Sequence, residues 1–276
     1  KAGKCIVTVK GYNKNGKLTA KGRIKVKIKK NSTSQTNTGT TDKNNKDNSN
    51  VGSVSDKLVD EKPSSDTSAY DAGEYSIDKV HKGEATFYDR ESTGAANLDD
   101  YESIYYTAAM NDEDYMNGLA GAYIEVTDKD GDVVNVLVTD RLPEGKKGDI
   151  DLSRSAFKSI EPEVTGRMDI TWKIIPLPTD APIGFLWKDT SSQYWAEVQV
   201  RNGRYPIKSV EYYDASSNSY IAMERKEYNY YAAPNGMGSG PYKFRITDFY
   251  GHVIVENNIA INTNNEVVWG ANNFEY

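Results

Sequence analysis

The chain has 276 residues, of which 27% are charged, with 34 Lys+Arg against 40 Asp+Glu and a formal net charge of −6. Residues 1–30 hold eleven Lys+Arg and no Asp or Glu, so the remaining body is strongly acidic; this argues against nucleic acid and anionic polymers such as pectin and leaves neutral polymers open. A lone cysteine, Cys5, excludes an internal disulfide framework. Two distant histidines without HExxH or CxxC spacing argue against zinc or blue copper, and no apolar run approaches the length of a membrane span.

The opening stretch KAGKCIVTVKG lacks the apolar centre of a signal peptide, so the chain reads as a mature protein or a fragment. Residues 5–29 alternate as CIVTVKGY and GRIKVKIKK around NKNGK, with Ile24, Val26 and Ile28 on one face and Asn15-Gly16 as the turn signal. Two strands cannot bury a core alone. Residues 1–30 are therefore read as a β-hairpin left from an immunoglobulin-like module, with a basic arm for a polyanion as the alternative. Residues 31–72 are rich in Asn, Ser, Thr, Asp and Lys, a composition that cannot offset its own ordering entropy. They are expected to form a disordered linker, spanning on the order of 35 Å root-mean-square if it behaves as a Gly/Ser coil.

Residues 73–178 read as the first compact unit. GAYIEVTDKDGDVVNVLVTD holds two strands around a turn at Asp130-Gly131, DLSRSAFKSI a short helix with Ser153 as N-cap, and RMDITWKIIP a further strand. DKDGD at 128–132 resembles a calcium loop but lacks the later glutamate at the required spacing, so it is assigned to a strand-connecting turn. PLPTDAP at 176–182 is a joint too stiff and brief to let its neighbours drift apart. Residues 179–276 read as the second unit. YWAEVQVRN, SVEYYD, SYIAME, YKFRITD and HVIVEN are short strands at roughly ten-residue spacing, which predicts a small antiparallel sandwich. The 20 Tyr and 4 Trp suit wet binding surfaces, although most such rings serve as core or strand filler.

Two aspartates bear on chemistry. Asp140 and Asp151 flank a GKKG turn that can bring both to one groove. Inverting glycoside hydrolysis needs one protonated carboxyl and one carboxylate about 6.5–9.5 Å apart with water between. The plainer reading is two turn aspartates that cap backbone groups.

At VTDRLPEGKKGDIDLSRSAF the chain resembles the bacterial expansins. The similarity covers about residues 79–276 and includes GEATFY (83–88), LAGAYIEV (119–126), SSQYWAEVQVRNGRYPI (191–207) and MERKEYN (223–229). It implies a mainly β fold, a six-stranded double-psi β-barrel followed by an immunoglobulin-like β-sandwich. It also implies roles. Asp151 matches the family's indispensable aspartate, equivalent to the general acid of related hydrolases; Asp140 matches a second groove aspartate, and Thr86 the threonine that bonds the first. Leu142 stands where the family has a groove tyrosine. The hydrolase's general base is absent from expansins, and here it would have to come from Asp89, Asp99, Asp100, Glu102, Asp112, Glu113 or Asp114. A second resemblance, to lytic transglycosylases of the rare-lipoprotein-A type, rests on Asp140-Arg141 and Asp151-Leu152-Ser153. Their usual histidine is replaced by Met110, which cannot transfer protons.

In the second unit the resemblance implies a line of three rings, Tyr194, Trp195 and Tyr228, beside Lys188. Strict alternation with Ala196, Val198 and Val200 inward puts Trp195, Glu197, Gln199 and Arg201 outside. Tyr194 joins them only if the strand begins or bulges there. Three stacked rings contribute roughly 2–4 kcal/mol, so retention on a polymer requires added hydrogen bonds and repeated contacts. The expected protein is secreted, extracellular and monomeric. It loosens plant cell walls without hydrolysis by binding cellulose and related β-glucans, with no cofactor, metal, nucleic acid or membrane. The open rivals are a glycoside hydrolase or peptidoglycan lytic transglycosylase with Asp151 as general acid, and a purely adhesive carbohydrate-binding protein.

Overall fold

The computed structural model describes residues 72–89 and 93–276, together with the backbone of two strands nearer the N-terminus. Those two, β1 (Lys4–Tyr12) and β2 (Leu18–Lys27), form an antiparallel sheet of their own with Lys4 opposite Lys27 and a register shift at Gly11/Tyr12. The Asn15-Gly16 turn and, except for Ala72, the 31–72 linker lie outside the described residues.

Six strands close into a barrel: β3 (His81–Tyr88), β4 (Tyr106–Asn111), β5 (Tyr123–Asp128), β6 (Val133–Leu142), β7 (Ile150–Ser153) and β8 (Met168–Ile174). Around the barrel the order is β3-β7-β4-β6-β5-β8, with β3/β7 and β4/β6 parallel and the other pairs antiparallel. Alternation sends Ala85, Met110, Val136, Ile150, Leu152 and Trp172 into one core. The β5–β6 hairpin turns at Asp130-Gly131, where Gly131 has φ +93°. Short helices α1 (Asp112–Asp114) and α2 (Arg154–Phe157) follow β4 and β7. Two local expectations need correction. Asp151 lies inside strand β7 rather than in a loop before the helix. Ser153 stands at the N-cap position, but its hydroxyl accepts the Thr107 N–H of β4 at 3.4 Å and makes no cap bond.

The parallel β3/β7 pair depends on a close backbone crossing. A Cβ on Gly148, which has φ +90°, would lie 2.0 Å from the Lys82 carbonyl oxygen, and one on Gly83 would lie 2.1 Å from the Gly148 carbonyl oxygen. The Trp172 indole N–H donates to that same Gly148 oxygen at 2.9 Å. With the crossing fixed, Ala85 falls opposite Ile150 and Thr86 opposite Asp151.

Nine further strands follow: β9 (Gly184–Trp187), β10 (Ala196–Arg201), β11 (Ile207–Asp214), β12 (Ser219–Ala222), β13 (Glu224–Arg225), β14 (Tyr231–Ala233), β15 (Tyr242–Asp248), β16 (Val253–Ile259) and β17 (Val268–Trp269). They make a five-stranded sheet, β13-β14-β10-β9-β17, and a four-stranded sheet, β12-β11-β15-β16. The inner faces share one core, where Phe185 stacks on Phe244 with ring centres 5.2 Å apart. The outer face of β10 departs from expectation, because Glu197, Gln199 and Arg201 are all buried. The segment 94–101 from the barrel side lies over it. Gln199 donates to the Ala96 carbonyl at 2.8 Å, and the Arg201 guanidinium donates to the Asn97 carbonyl at 2.9 Å and to Asp100 at 2.8 Å. Alternation identifies an outer face but carries no information about what covers it. Phe249 and Tyr250 extend the contact by packing into the barrel's core. No helix among the described residues is long and apolar enough to cross a membrane.

Gly83→Ala drives a methyl into backbone and is expected to lower stability by about 1–3 kcal/mol or to prevent folding. Gly131→Ala, with open space around its Cβ, is expected to lose less. Urea midpoints of both variants against the parent, at unchanged slope, check the ordering.

Candidate functional site

Register builds the first part of the site. Ala109 of β4 has Asp140 as its partner on β6 and Asp151 as its partner on β7, while Asp151 pairs in turn with Thr86 on β3. Thr86, Asp151, Ala109 and Asp140 therefore form a row across four strands. At about 4.8 Å per strand, the two aspartate Cα atoms lie about 10 Å apart.

Asp151 is flanked by the inward Ile150 and Leu152, so its side chain points away from the core into a half-buried position. The Thr86 hydroxyl donates to its Oδ1 at 2.6 Å. Burial pushes the Asp151 carboxyl above the ordinary range. The Glu144 charge pushes it further, and the Thr86 hydrogen bond and Arg167 act against the shift. Asp140 has a different task. Its Oδ1 accepts the Ala95 N–H at 2.8 Å and the Arg141 N–H at 2.9 Å, so the backbone-capping reading describes Asp140 and not Asp151. Leu142, two residues on, ends β6 half-exposed, an alkyl group where a ring was missed from the sequence.

Two positions farther along the same strand faces, Tyr88, Ser153 and Thr107 line a cleft of about 860 Å³ together with Tyr105, Tyr106 and Arg154. Thr86, Asp151 and Asp140 do not themselves line this cleft; they lie beside it on the same strands.

The loop carboxylates considered as bases are mostly engaged elsewhere. Asp89 pairs with Arg154, Asp100 with Arg201, Asp112 with both arms of Arg141 at 2.8 Å, and Glu113 with Lys147. Asp99 accepts the Gly94 N–H. Asp114 is fully buried and accepts from the Tyr75 hydroxyl, the Asn111 amide and the Gly148 N–H. Glu102 lies along the cleft. Glu144, whose charge reaches Asp151, was not among these seven; it is exposed on the turn after β6, and its place in PEG gave no signal of proximity. Met110 lies in the barrel core, away from the groove.

The second part of the site lies at the start of β10. Ser192 and Trp195 bridge across a two-residue turn, and the strand begins only at Ala196. Tyr194 therefore sits in the turn with 76% of its surface exposed, and Trp195 is half-buried. Gly236 supports this turn, since a Cβ there would lie 2.2 Å from the Gln193 carbonyl oxygen. Lys188 and Tyr228 come together through a residue that sequence reasoning had left on the surface. Glu197, only 3% exposed, accepts Lys188 Nζ at 2.8 Å on one carboxylate oxygen and the Tyr228 hydroxyl at 2.7 Å on the other. Lys188 Nζ also lies 4.5 Å from the Tyr228 ring centre. The available signal was a glutamate inside the apolar run AEVQV with a lysine nine residues before it.

No family model matches the chain. It is 37% identical over 183 residues to Expansin-YoaJ of Bacillus subtilis (strain 168), a match that covers 64% of this chain and 77% of that protein. It is 24% identical over 186 residues to Expansin-like protein 3 of Dictyostelium discoideum, covering 63% of this chain and 55% of the relative. Among solved structures it is similar to the apo expansin of Clavibacter michiganensis, with TM-score 0.65, 25% identity, and coverage of 71% of this chain and 98% of the other. A point mutant of that expansin in complex with cellohexaose matches equally well.

Two outcomes follow from this geometry. A carboxyl whose pKa is raised in the fold stabilises it most below the unfolded value near 4, and that contribution is lost as pH rises through the folded value. Asp151→Asn is therefore expected to melt above the parent at neutral pH, with the gain shrinking on acidification, as thermal scans at several pH values will read. Glu197→Ala leaves Lys188 and Tyr228 without their shared acceptor. It is expected to lower stability by about 1–3 kcal/mol in denaturant titrations, with Glu197→Gln losing less.

Proposed function

The chain belongs to the expansin family, and on that premise we propose that it loosens plant cell walls by gripping a neutral glucan in the barrel groove while the sandwich holds it on cellulose. As an expansin it is a non-catalytic protein. The observation that carries the proposal is Asp151, half-buried, its carboxyl held above the ordinary range by burial, with one oxygen accepting from Thr86 among the described residues. Its other oxygen can accept a hydrogen bond when the carboxyl is ionised and donate one when it is protonated. Offered to a glucan hydroxyl or ring oxygen, that bond competes with the chain-to-chain hydrogen bonds of the wall.

Hydrolysis by the acid–base route needs a second carboxylate free to activate water. Arg141, Arg154, Arg201 and Lys147 already hold four of the acids that surround the barrel. On the sandwich, Tyr194 and Trp195 offer faces for stacking, and Tyr228 is held in place by Glu197 beside the cation of Lys188. Each such contact is weak, so a polymer with many equivalent sites is the ligand class that benefits, through effective concentration. The cellohexaose complex of the Clavibacter relative supports a linear glucan as that polymer. A protein with this substrate works outside the cell, which makes it a secreted one.

Creep of heat-treated plant wall strips tests the reading. Wild type is expected to extend the strips with no new reducing ends. Asp151→Ala should keep its cellulose retention and lose extension, and Trp195→Ala should lose retention. Reducing ends that vanish in Asp151→Asn would favour a hydrolase, and extension unaffected by Asp151→Ala would leave only an adhesive protein.

A further inference from the structure

We infer that the β5–β6 turn is a calcium site completed by Glu161 from the segment that follows α2. Along the chain, the DKDGD motif lacks the closing glutamate of a calcium loop. In the folded chain, Asp128, Asp130 and Glu161 each bring one ligand oxygen to within 4.8 Å of the other two. Glu161 thus supplies across space the carboxylate that the turn lacks along the chain. Its backbone N–H is anchored to the Phe157 carbonyl at 2.9 Å, and the Thr165 hydroxyl donates to its side chain at 2.6 Å.

An independent observation points to a cation. Asp128 is 7% exposed. Its Oδ1 accepts the N–H groups of Asp130 and Asp132, both at 2.9 Å. Its Oδ2 is buried and has no hydrogen-bond partner among the described residues. A carboxylate oxygen withdrawn from water without a partner is costly, and two more carboxylates beside it add repulsion. A divalent cation among the three removes both costs.

The donor set selects the ion. All the ligand atoms are carboxylate oxygens, which suits a hard cation and not zinc or copper. Calcium, with oxygen ligands at about 2.3–2.6 Å in a flexible geometry, suits carboxylates drawn from two separate segments, whereas magnesium demands a near-ideal octahedron at about 2.0–2.1 Å. Lys129 Nζ, 2.6 Å from the exposed Asp130 carboxylate, is the competing cation and swings away into solvent when calcium enters. The bound ion fastens the segment after α2 to the β5–β6 hairpin, on residues separate from the Thr86–Asp151–Asp140 row.

The test uses the full chain, stripped with EDTA and titrated calorimetrically with calcium chloride and, separately, magnesium chloride. One calcium site is expected with Kd on the order of 10⁻⁴–10⁻³ M, the range of extracellular modules, together with a calcium-dependent rise in melting temperature and weaker magnesium binding. Glu161→Gln and Asp130→Asn should each weaken calcium binding about tenfold or more while melting like the parent in EDTA. If Glu161→Gln does not fold, the exposed Asp130→Asn carries the comparison. Absence of calcium heat and of any melting shift in the parent overturns the assignment, as does unchanged affinity in the variants or magnesium binding as tight as calcium.

Discussion

The groove depends on a place where two backbones touch. Gly83 and Gly148 approach so closely that neither tolerates a β-carbon, and Trp172 and Asp114 fix the second glycine from two sides, the indole N–H donating to its carbonyl and its own N–H donating to the buried carboxylate. This crossing brings β3 and β7 into parallel register, and the register alone places Thr86 beside Asp151, although 65 residues separate them. The elevated proton affinity of Asp151 follows from the same packing, because it arises chiefly from burial.

A second constraint joins the barrel to the sandwich. The segment 94–101 is fastened to β6 through the Thr139 carbonyl and the Asp140 carboxylate, and to β10 through Gln199 and Arg201. Asn97 adds a bond from its amide to the Tyr228 carbonyl at 3.1 Å, and Arg141 reaches from Asp112 to Glu227. Asp140 thus matters to the groove partly as a backbone anchor. The resemblance implied a ligand-facing role, and the hydrogen bonds add a structural one.

Legibility in the sequence followed the strength of local signals. The β5–β6 hairpin, β8 and the longer sandwich strands announce themselves by alternation and turn residues. Strand β9, GFLW, is buried along its whole length and β14 is buried at all three residues, so neither shows a two-residue period. Four-residue β7 was hidden by the helix signal that follows it. The Thr86–Asp151 pairing could be named only through resemblance, since no local pattern links residues so far apart. Glu197 was missed for a different reason. Alternation placed it correctly on the outer face, but burial of that face comes from tertiary contacts that composition does not encode.

Segment 94–101 is hydrogen-bonded to the barrel on one side and to the sandwich on the other, so the two surfaces are tied by more than the 176–182 joint. A flexible pair of modules would let each settle on whatever stretch of polymer lay nearest, and nothing would be deformed. A rigid pair acts as a template instead, imposing its own spacing and curvature on any strand that spans both. Were that strand part of a flat crystalline sheet, any mismatch would strain the lateral bonds between one glucan and the next. A stiff joint would let part of the free energy of adhesion go into deforming the bound strand, with no covalent bond broken.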